Sequence, residues 1–386
     1  MDLSQIINEL GEDREQYFNA VSPPIIQTSN FAFREVAQLR DAIADEFKVN
    51  LYSRGNNPTV SILRKKLAAL DGAEDALVLS SGAAAVFLAV FSNVRQGDHI
   101  ICVSKPYSWT DRLLTGLLPR FGIVCTMIDG TRIENFEASI LDNTKIIFLE
   151  SPNSFTFELQ DLDAVATLAR SKGIISIIDN SYCSPLYQKP LEYGIDISLQ
   201  TATKYLGGHS DVVAGVICGS SQMISKIFRN EMLTVGSVIS PFSAWLLLRG
   251  LRTLEIRLER IAQSTEKVAE FLEAHPRVEK LYYPFSKNNS QYVLARKQMK
   301  KSPGLCTALL KVASVDEIEV FCNSLKHFLM AVSWGGHESL IFPSCAAIGR
   351  QQFDIENINH RMVRFYTGLE DADYLIRDID RAFSMM

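Results

Sequence analysis

The sequence predicts an α/β protein with a mostly parallel central sheet covered by helices on both faces, followed by a smaller C-terminal α+β domain. Three observations lead there. Short, wholly apolar runs alternate with helix-like segments through the first part of the chain, as strands buried on both faces require. Near residue 240 the texture changes to a long amphipathic stretch. The chain also has 386 residues, 47% of them hydrophobic, which is enough for two cores of about 150–250 residues each.

Residues 1–58 read as an irregular N-terminal arm, because "SPPIIQTSNFAF" and "YSRGNNPTV" are rich in turn formers. "SILRKKLAALDG" is a helix with a glycine stop. "DALVLS" is a strand, and "GAAAVFLAVFSNV" after it is a buried helix. "HIICVS" is the next strand. "TDRLLTGLLPRFG" is a helix that Pro119 must end or kink. "IVCTMID", "KIIFLE" and "IISIID" are further strands, with the helical "DLDAVATLARSKG" before the last. "DISLQ" and "VVAGVICG" then flank a single lysine, Lys204, and the α/β domain spans 59–240. The stretch "PFSAWLLLRGLRTLEIRLERIAQSTEKVAEFLEAH" reads as a long connecting helix. It opens a C-terminal α+β domain, 241–386, built from segments such as "VEKLYYP", "LCTALLKV", "FLMAVSW", "MVRFYTG" and "DADYLIRDIDRAF".

Charged residues make up 22% of the chain, the formal net charge is −5, and there is no block of lysines or arginines. Neither nucleic acid nor an anionic membrane is favoured as a partner. No stretch reaches the roughly 18 apolar residues of a membrane span. The acidic start "MDLSQIINELGEDREQ" does not read as a secretory signal, so a cytoplasmic location is expected. Seven scattered cysteines without a CxxC read as reduced core thiols, and the six histidines lack ligand spacing, so no metal is expected.

In open α/β sheets, ligands bind where strands end and loops begin. "DALVLSSGAAAV" passes from a strand through Ser80, Ser81 and Gly82 into a helix. The free N–H groups there suit a phosphate, although the same residues suit a plain tight turn. There is no GxGxxG and no GxxxxGK[ST], so dinucleotides and nucleoside triphosphates lack their fingerprint. "IISIIDN" carries Asp179 to the end of a buried run, where a carboxylate needs a cation or donors unless it merely caps a turn. "IFLESPNS" ends similarly, with Glu150 and Asn153. Lys204 sits among Thr201, Thr203, Gly207 and Gly208. A partly buried lysine has a depressed pKa and can act as an amine nucleophile toward an aldehyde; a surface turn lysine is the plainer reading. A phosphate-gripping turn, a buried aspartate and such a lysine are together what pyridoxal 5′-phosphate (PLP) requires.

"SLQTATKYLGGHSDVVAG" resembles the lysine motif of the PLP-dependent enzymes of cysteine and methionine metabolism: the cystathionine lyases and synthases and methionine γ-lyase. "PPIIQTSNFAF", "YSRGNNPTV", "SSGAAAV", "LESPNS", "IIDNSYCSP", "LRGLRTLEIRLER", "SWGGHESL" and "RFYTGLEDADYLI" match in the same order, over nearly the whole chain. The resemblance implies the type I fold of PLP-dependent transferases. It implies that Lys204 binds the cofactor aldehyde as a Schiff base and then shuttles the proton. Asp179 would pair with the ring nitrogen and Tyr107, in "KPYSWTD", would stack on the ring and help deprotonate the incoming amine. Gly82 and Ala83 would offer N–H groups to the phosphate, and Thr201 and Thr203 hydroxyls. Tyr52 and Arg54 would reach the phosphate of a neighbouring subunit, which implies a homo-oligomer, a tetramer built from dimers sharing active sites. Arg364 would clamp the substrate carboxylate, with Ser333 and Asn153 beside it. A guanidinium fork suits a carboxylate because it binds at two points.

"SWGGHESL", with Trp334, and "LESPNSFTFEL" are most similar to cystathionine β-lyase, so β-elimination of cystathionine to homocysteine, pyruvate and ammonia is the expectation. "YSRGNNPTV" is the general family form, and Val332 before Ser333 is similar to methionine γ-lyases. Cystathionine γ-lyase, methionine γ-lyase and cystathionine γ-synthase are the alternatives, and a non-catalytic PLP-binding regulator is the outside one. Trp109 is expected to narrow the substrate's side-chain channel, and His337 is given no role.

Overall fold

The apolar runs of the first part become the strands of one seven-stranded sheet in the computed structural model, which describes residues 1–386. These are β1 (Asp75–Leu79), β2 (His99–Val103), β3 (Val124–Ile128), β4 (Thr144–Glu150), β5 (Ile175–Asp179), β6 (Ile197–Thr201) and β7 (Gly215–Gly219). They lie in the order β1-β7-β6-β5-β4-β2-β3. The pairs β2–β3, β2–β4, β4–β5 and β5–β6 are parallel, and β7 is antiparallel to both of its neighbours.

The central strands are mostly apolar because alternate residues serve opposite, covered faces. On one face Ile146, Phe148, Ile100, Ile177 and Leu199 join a core with Val86, Leu88 and Ala89 of the helix Gly82–Phe91. On the other, Ile147, Leu149, Ile101 and Ile178 pack with Leu162, Val165 and Ala169 of the helix Leu162–Lys172. The expected helix over "TDRLLTGLLPRFG" is Ser108–Arg112, followed by a wider π-turn over Leu113–Leu117 and a 3-10 turn over Leu118–Phe121. Pro119 is the second residue of that last turn, which ends two residues later, so the helix narrows and stops around it as expected.

Two compact units divide the chain. The first comprises Met1–Ser151, Gln160–Gly207 and Asp211–Arg252, and the second Pro152–Leu159, Gly208–Ser210 and Thr253–Met386. The arm 1–58 belongs to the first unit. Buried Lys66 ties it down there, donating to the carbonyls of Ile6 and Ile7 at 3.0 and 2.8 Å and pairing with Glu12 at 3.1 Å. The long helix expected from residue 241 is two helices, Pro241–Leu251 and Leu254–Ala274. The break at Arg252–Thr253, where Thr253 leaves helical geometry (φ −112°, ψ 6°), coincides with the boundary between the units.

The second unit holds a five-stranded sheet of β8 (Val278–Tyr282), β9 (Leu305–Leu310), β10 (Leu329–Met330), β11 (Leu340–Pro343) and β12 (Met362–Tyr366), ordered β10-β11-β12-β9-β8. Cys306, Ala308, Leu310, Val363 and Phe365 turn one face toward the helices Leu254–Ala274, Val315–Ser324 and Ala372–Phe383. None of the seven cysteines forms a disulfide, and six are buried. No helix is long and apolar enough to cross a membrane.

Candidate active site

In the first unit the parallel strands deliver their polar terminal residues to one edge of the sheet. β4 ends in Glu150 and β5 in Asp179, and these two stand opposite each other in the strand register. β6 ends in Thr201, and the turn after it carries Lys204, whose N–H donates to the Thr201 carbonyl at 3.3 Å. Asp179 is 8% exposed. Burial pushes its carboxyl up; hydrogen bonds from Ser181 and the charge of Lys204 pull it back. The Ser181 N–H donates to Asp179 Oδ1 at 2.9 Å, and the Ser181 hydroxyl accepts from the Thr201 N–H at 2.7 Å. Ser181 thus ties the acid to the end of the lysine-bearing strand.

Tyr107 immediately precedes the helix Ser108–Arg112 and is half exposed. Its backbone N–H donates to Glu150 Oε2 at 2.6 Å. Burial raises its phenol pKa, and the nearby charges of Asp179 and Glu150 raise it further. Lys204, Asp179, Tyr107 and Glu150 therefore form one electrostatic neighbourhood. Beside Tyr107 opens a cavity of about 240 Å³, walled by Ala83, Val86, Phe87, Trp109 and Leu113, with Arg112 at its lining. Trp109 is 56% exposed and lies under the Arg112 guanidinium, 5.4 Å from the ring centroid.

Ser81 caps the helix Gly82–Phe91, its hydroxyl accepting from the Ala84 N–H at 3.1 Å. Gly82 and Ala83 occupy the first two helical positions, whose N–H groups have no acceptor within the helix. A Cβ on Gly82 would stand 2.6 Å from Thr201 Cβ, so the helix start and the end of β6 meet only because residue 82 has no side chain. Thr203 shares its hydroxyl with Ala214, accepting from that N–H at 3.0 Å and donating to that carbonyl at 3.3 Å.

This donor set fits a phosphorylated pyridine aldehyde: a lysine amine, a buried acid for a ring nitrogen, an aromatic ring, and a phosphate cradle of helix N–H groups and hydroxyls. Tyr52 and Arg54, also in the first unit, are exposed, the guanidinium lying 5.5 Å over the Tyr52 ring.

In the second unit, Arg364 lies on β12, directly opposite Phe342 of β11. Its guanidinium donates to the carbonyls of Val332 and Ser333 at 3.0 and 3.5 Å. Burial draws its pKa down to about 10. Asn153, expected beside the substrate carboxylate, is buried in the loop Pro152–Leu159. It is 2% exposed; its Oδ1 accepts from the Glu158 N–H at 2.9 Å and the Thr156 hydroxyl at 3.2 Å, and its Nδ2 donates to Glu158 at 3.1 Å. His337 Nδ1 lies 3.1 Å from Glu338.

Sequence reasoning missed Ser181, Glu150 as the acceptor for Tyr107, and Phe342. Ser181 lay inside the quoted "IIDNSYCSP", so its motif was visible although its bridging role was not.

Comparison with known proteins matches residues 4–384 to the family described as Cys/Met metabolism PLP-dependent enzyme. An L-methionine γ-lyase of Treponema denticola is 37% identical over 96% of this chain and 94% of its own. A cystathionine γ-lyase of Bacillus subtilis is 36% identical over 94% of each. Among solved structures, metB from Corynebacterium glutamicum superposes with a TM-score of 0.91 at 32% identity, covering 100% of this chain and 98% of that one. metY from Campylobacter jejuni, solved with a pyridoxyl-lysine monophosphate, superposes with a TM-score of 0.93 at 26% identity over 100% of both chains.

Proposed function

This chain belongs to the PLP-dependent enzymes of Cys/Met metabolism, and from that premise we propose that it is a carbon–sulfur lyase cleaving the thioether of an L-α-amino acid. Its cofactor is pyridoxal 5′-phosphate. The observation that carries the reading is the buried Asp179 carboxyl held by Ser181 within the field of Lys204. When bound, the cofactor draws electrons from the substrate and makes its Cα proton acidic.

The residues divide the remaining work. Lys204 would hold the cofactor covalently and, once released, carry a proton at Nζ from the substrate's Cα. Asp179 would keep a proton on the ring nitrogen, a task for which the donors that favour its ionised form suit it. Tyr107 would lie on the ring and exclude water, its backbone anchored by Glu150. Its raised phenol supports a positioning and donor role at neutral pH over that of a strong base. Gly82, Ala83, Thr201 and Thr203 would hold the phosphate. Arg364, with Ser333 and Asn153 beside it, would take the substrate carboxylate. Tyr52 and Arg54 would serve the phosphate of a second copy in a dimer or tetramer, a role that their exposure supports.

Between the two cleavages, the relatives named γ-lyases favour γ-elimination. β-Elimination of cystathionine is the second reading, favoured by Trp334 in "SWGGHESL" and by Trp109 at the wall of the cavity. The test is to feed PLP-loaded enzyme with cystathionine, and separately with methionine, and identify the products. 2-Oxobutyrate with cysteine, or 2-oxobutyrate with methanethiol, supports γ-cleavage. Pyruvate with homocysteine replaces it by β-cleavage. Lys204→Ala should abolish either, and the absence of any keto acid from every thioether would overturn the lyase reading itself.

A further inference from the structure

Phe155 has a backbone φ of +62°, a region that side chains other than glycine rarely enter. Its neighbours close a tight turn around it: the Thr156 N–H donates to the Ser154 carbonyl at 2.8 Å, two residues back. A turn closed this way with positive φ at its centre is the rarer, strained kind of γ-turn. Strain of this sort persists where the surroundings demand it, and it is a reason to look for function.

The Phe155 ring meets Arg364 and Phe342. The Arg364 guanidinium carbon lies 5.3 Å from the Phe155 ring centroid and 5.4 Å from that of Phe342. The two rings contact each other edge to face, with centroids 5.9 Å apart and planes at 62°. Phe342 is in place because the register of β11 against β12 sets it directly across from Arg364. Phe155 has no such support from a strand; the turn delivers it. The Asn153–Glu158 hydrogen bonds at 2.9 and 3.1 Å close the loop that holds this turn.

We propose that Phe155 and Phe342 form an aromatic bracket that positions the Arg364 guanidinium, so that its fork meets the substrate's α-carboxylate without first having to be ordered. This rests on the reading of Arg364 as the carboxylate clamp. Two backbone carbonyls, of Val332 and Ser333, hold one nitrogen of the guanidinium. Two ring faces restrict its plane, since a cation within about 6 Å of an aromatic centroid is attracted to it. A long, rotamer-rich side chain held in this way loses less freedom when the anion arrives, and preorganisation of this kind strengthens binding. Phe155 and Phe342 are positioning residues: they act on substrate only through Arg364.

The experiment uses PLP-loaded enzyme and compares Phe155→Leu, Phe342→Leu and Phe155→Tyr with the parent, on a substrate amino acid and on its α-carboxamide. The two leucine variants should raise KM for the carboxylate substrate roughly 5-fold with kcat nearly unchanged, as expected for loss of one cation–π contact. Phe155→Tyr should restore the parent KM, and the carboxamide should show no such difference among the four proteins. Placed on an Arg364→Ala background, Phe155→Leu should have no further effect. Equal losses on carboxylate and carboxamide, or a Phe155→Leu effect that persists without Arg364, would overturn the bracket. The reading beneath it fails separately: Arg364→Ala leaving KM unchanged removes the clamp. A raised KM in Arg364→Ala with an unaltered one in both leucine variants removes only the bracket.

Discussion

Asp71 closes the helix Pro58–Asp71 and is fully buried. Gln200 Nε2 lies 3.3 Å from one carboxyl oxygen, and the side chains of Ser198 and Cys218 lie beside the carboxyl and favour its ionised form. Burial pushes this acid from an ordinary 3.8 up to about 6, and a negative charge at a helix C-terminus also opposes the helix dipole. A carboxyl whose folded pKa exceeds its unfolded value binds its proton more tightly in the native state. Its stabilising contribution is therefore complete below about pH 4 and is lost as pH rises through about 6. The shift amounts to about 3 kcal/mol. Asp71→Asn should raise the urea midpoint at about pH 7, and the gap between the two proteins should shrink toward about pH 4. A gap that stays constant across that range would mean Asp71 is not the source. Two buried acids thus differ in how they could be recognised. Asp179 ends an apolar run and so stood out in the sequence, whereas Asp71 before Gly72 looks like any helix terminus, and its burial depends on β6 and β7 packing over it.

The start of the helix Gly82–Phe91 shows an element whose local preference and tertiary role disagree. Alanine in place of a helical glycine is worth up to about 1 kcal/mol in an isolated helix. Here its Cβ would come within 2.6 Å of Thr201 Cβ and 2.8 Å of Thr201 Oγ1, so either the helix start or the end of β6 must move. Gly82→Ala should therefore weaken PLP affinity by at least about 10-fold, measured by titrating apoenzyme and following the visible absorbance of bound cofactor; that corresponds to about 1.4 kcal/mol. Unchanged affinity would show that the close approach of helix and strand does not matter to the phosphate. Strands β1 to β6 were legible because most are buried on both faces and carry mostly apolar residues; β3, at the sheet edge, was legible from its short apolar run alone. The antiparallel course of β7 was not, since strand direction leaves no mark on composition. β11 escaped notice because it is four residues long and ends in Pro343. The helix break at Arg252–Thr253 escaped too, because the amphipathic period continues through it.

At the scale of the whole molecule, every residue proposed to hold the cofactor's ring and phosphate within one chain lies in the first unit, and the proposed carboxylate clamp lies in the second. The motifs of the first unit were legible because they lie at or just after the ends of apolar runs, whereas Arg364, in the middle of β12, was marked only by the family resemblance. What no pattern could reveal is which motifs share a unit, since Pro152–Leu159 and Gly208–Ser210 join the second unit from within the first part of the sequence. The placement has a thermodynamic consequence. A ligand that binds only the folded state stabilises it by mass action, about 2.7 kcal/mol at a hundredfold excess over Kd. If the cofactor is gripped through Lys204, Asp179 and Gly82, that stabilisation enters through the seven-stranded sheet. Saturating PLP should slow amide hydrogen exchange in β4, β5 and β6 by roughly 100-fold where those amides exchange through unfolding of the unit. The amides of β9 and β12 should change less. Lys204→Ala should lose most of the added protection while keeping the apoenzyme's exchange pattern, because the side chain is needed for the cofactor and not for the strand before it. Equal protection of β5 and β12 would mean that the cofactor's free energy is distributed over both units, and the proposed confinement of its holding residues to the first would then be wrong.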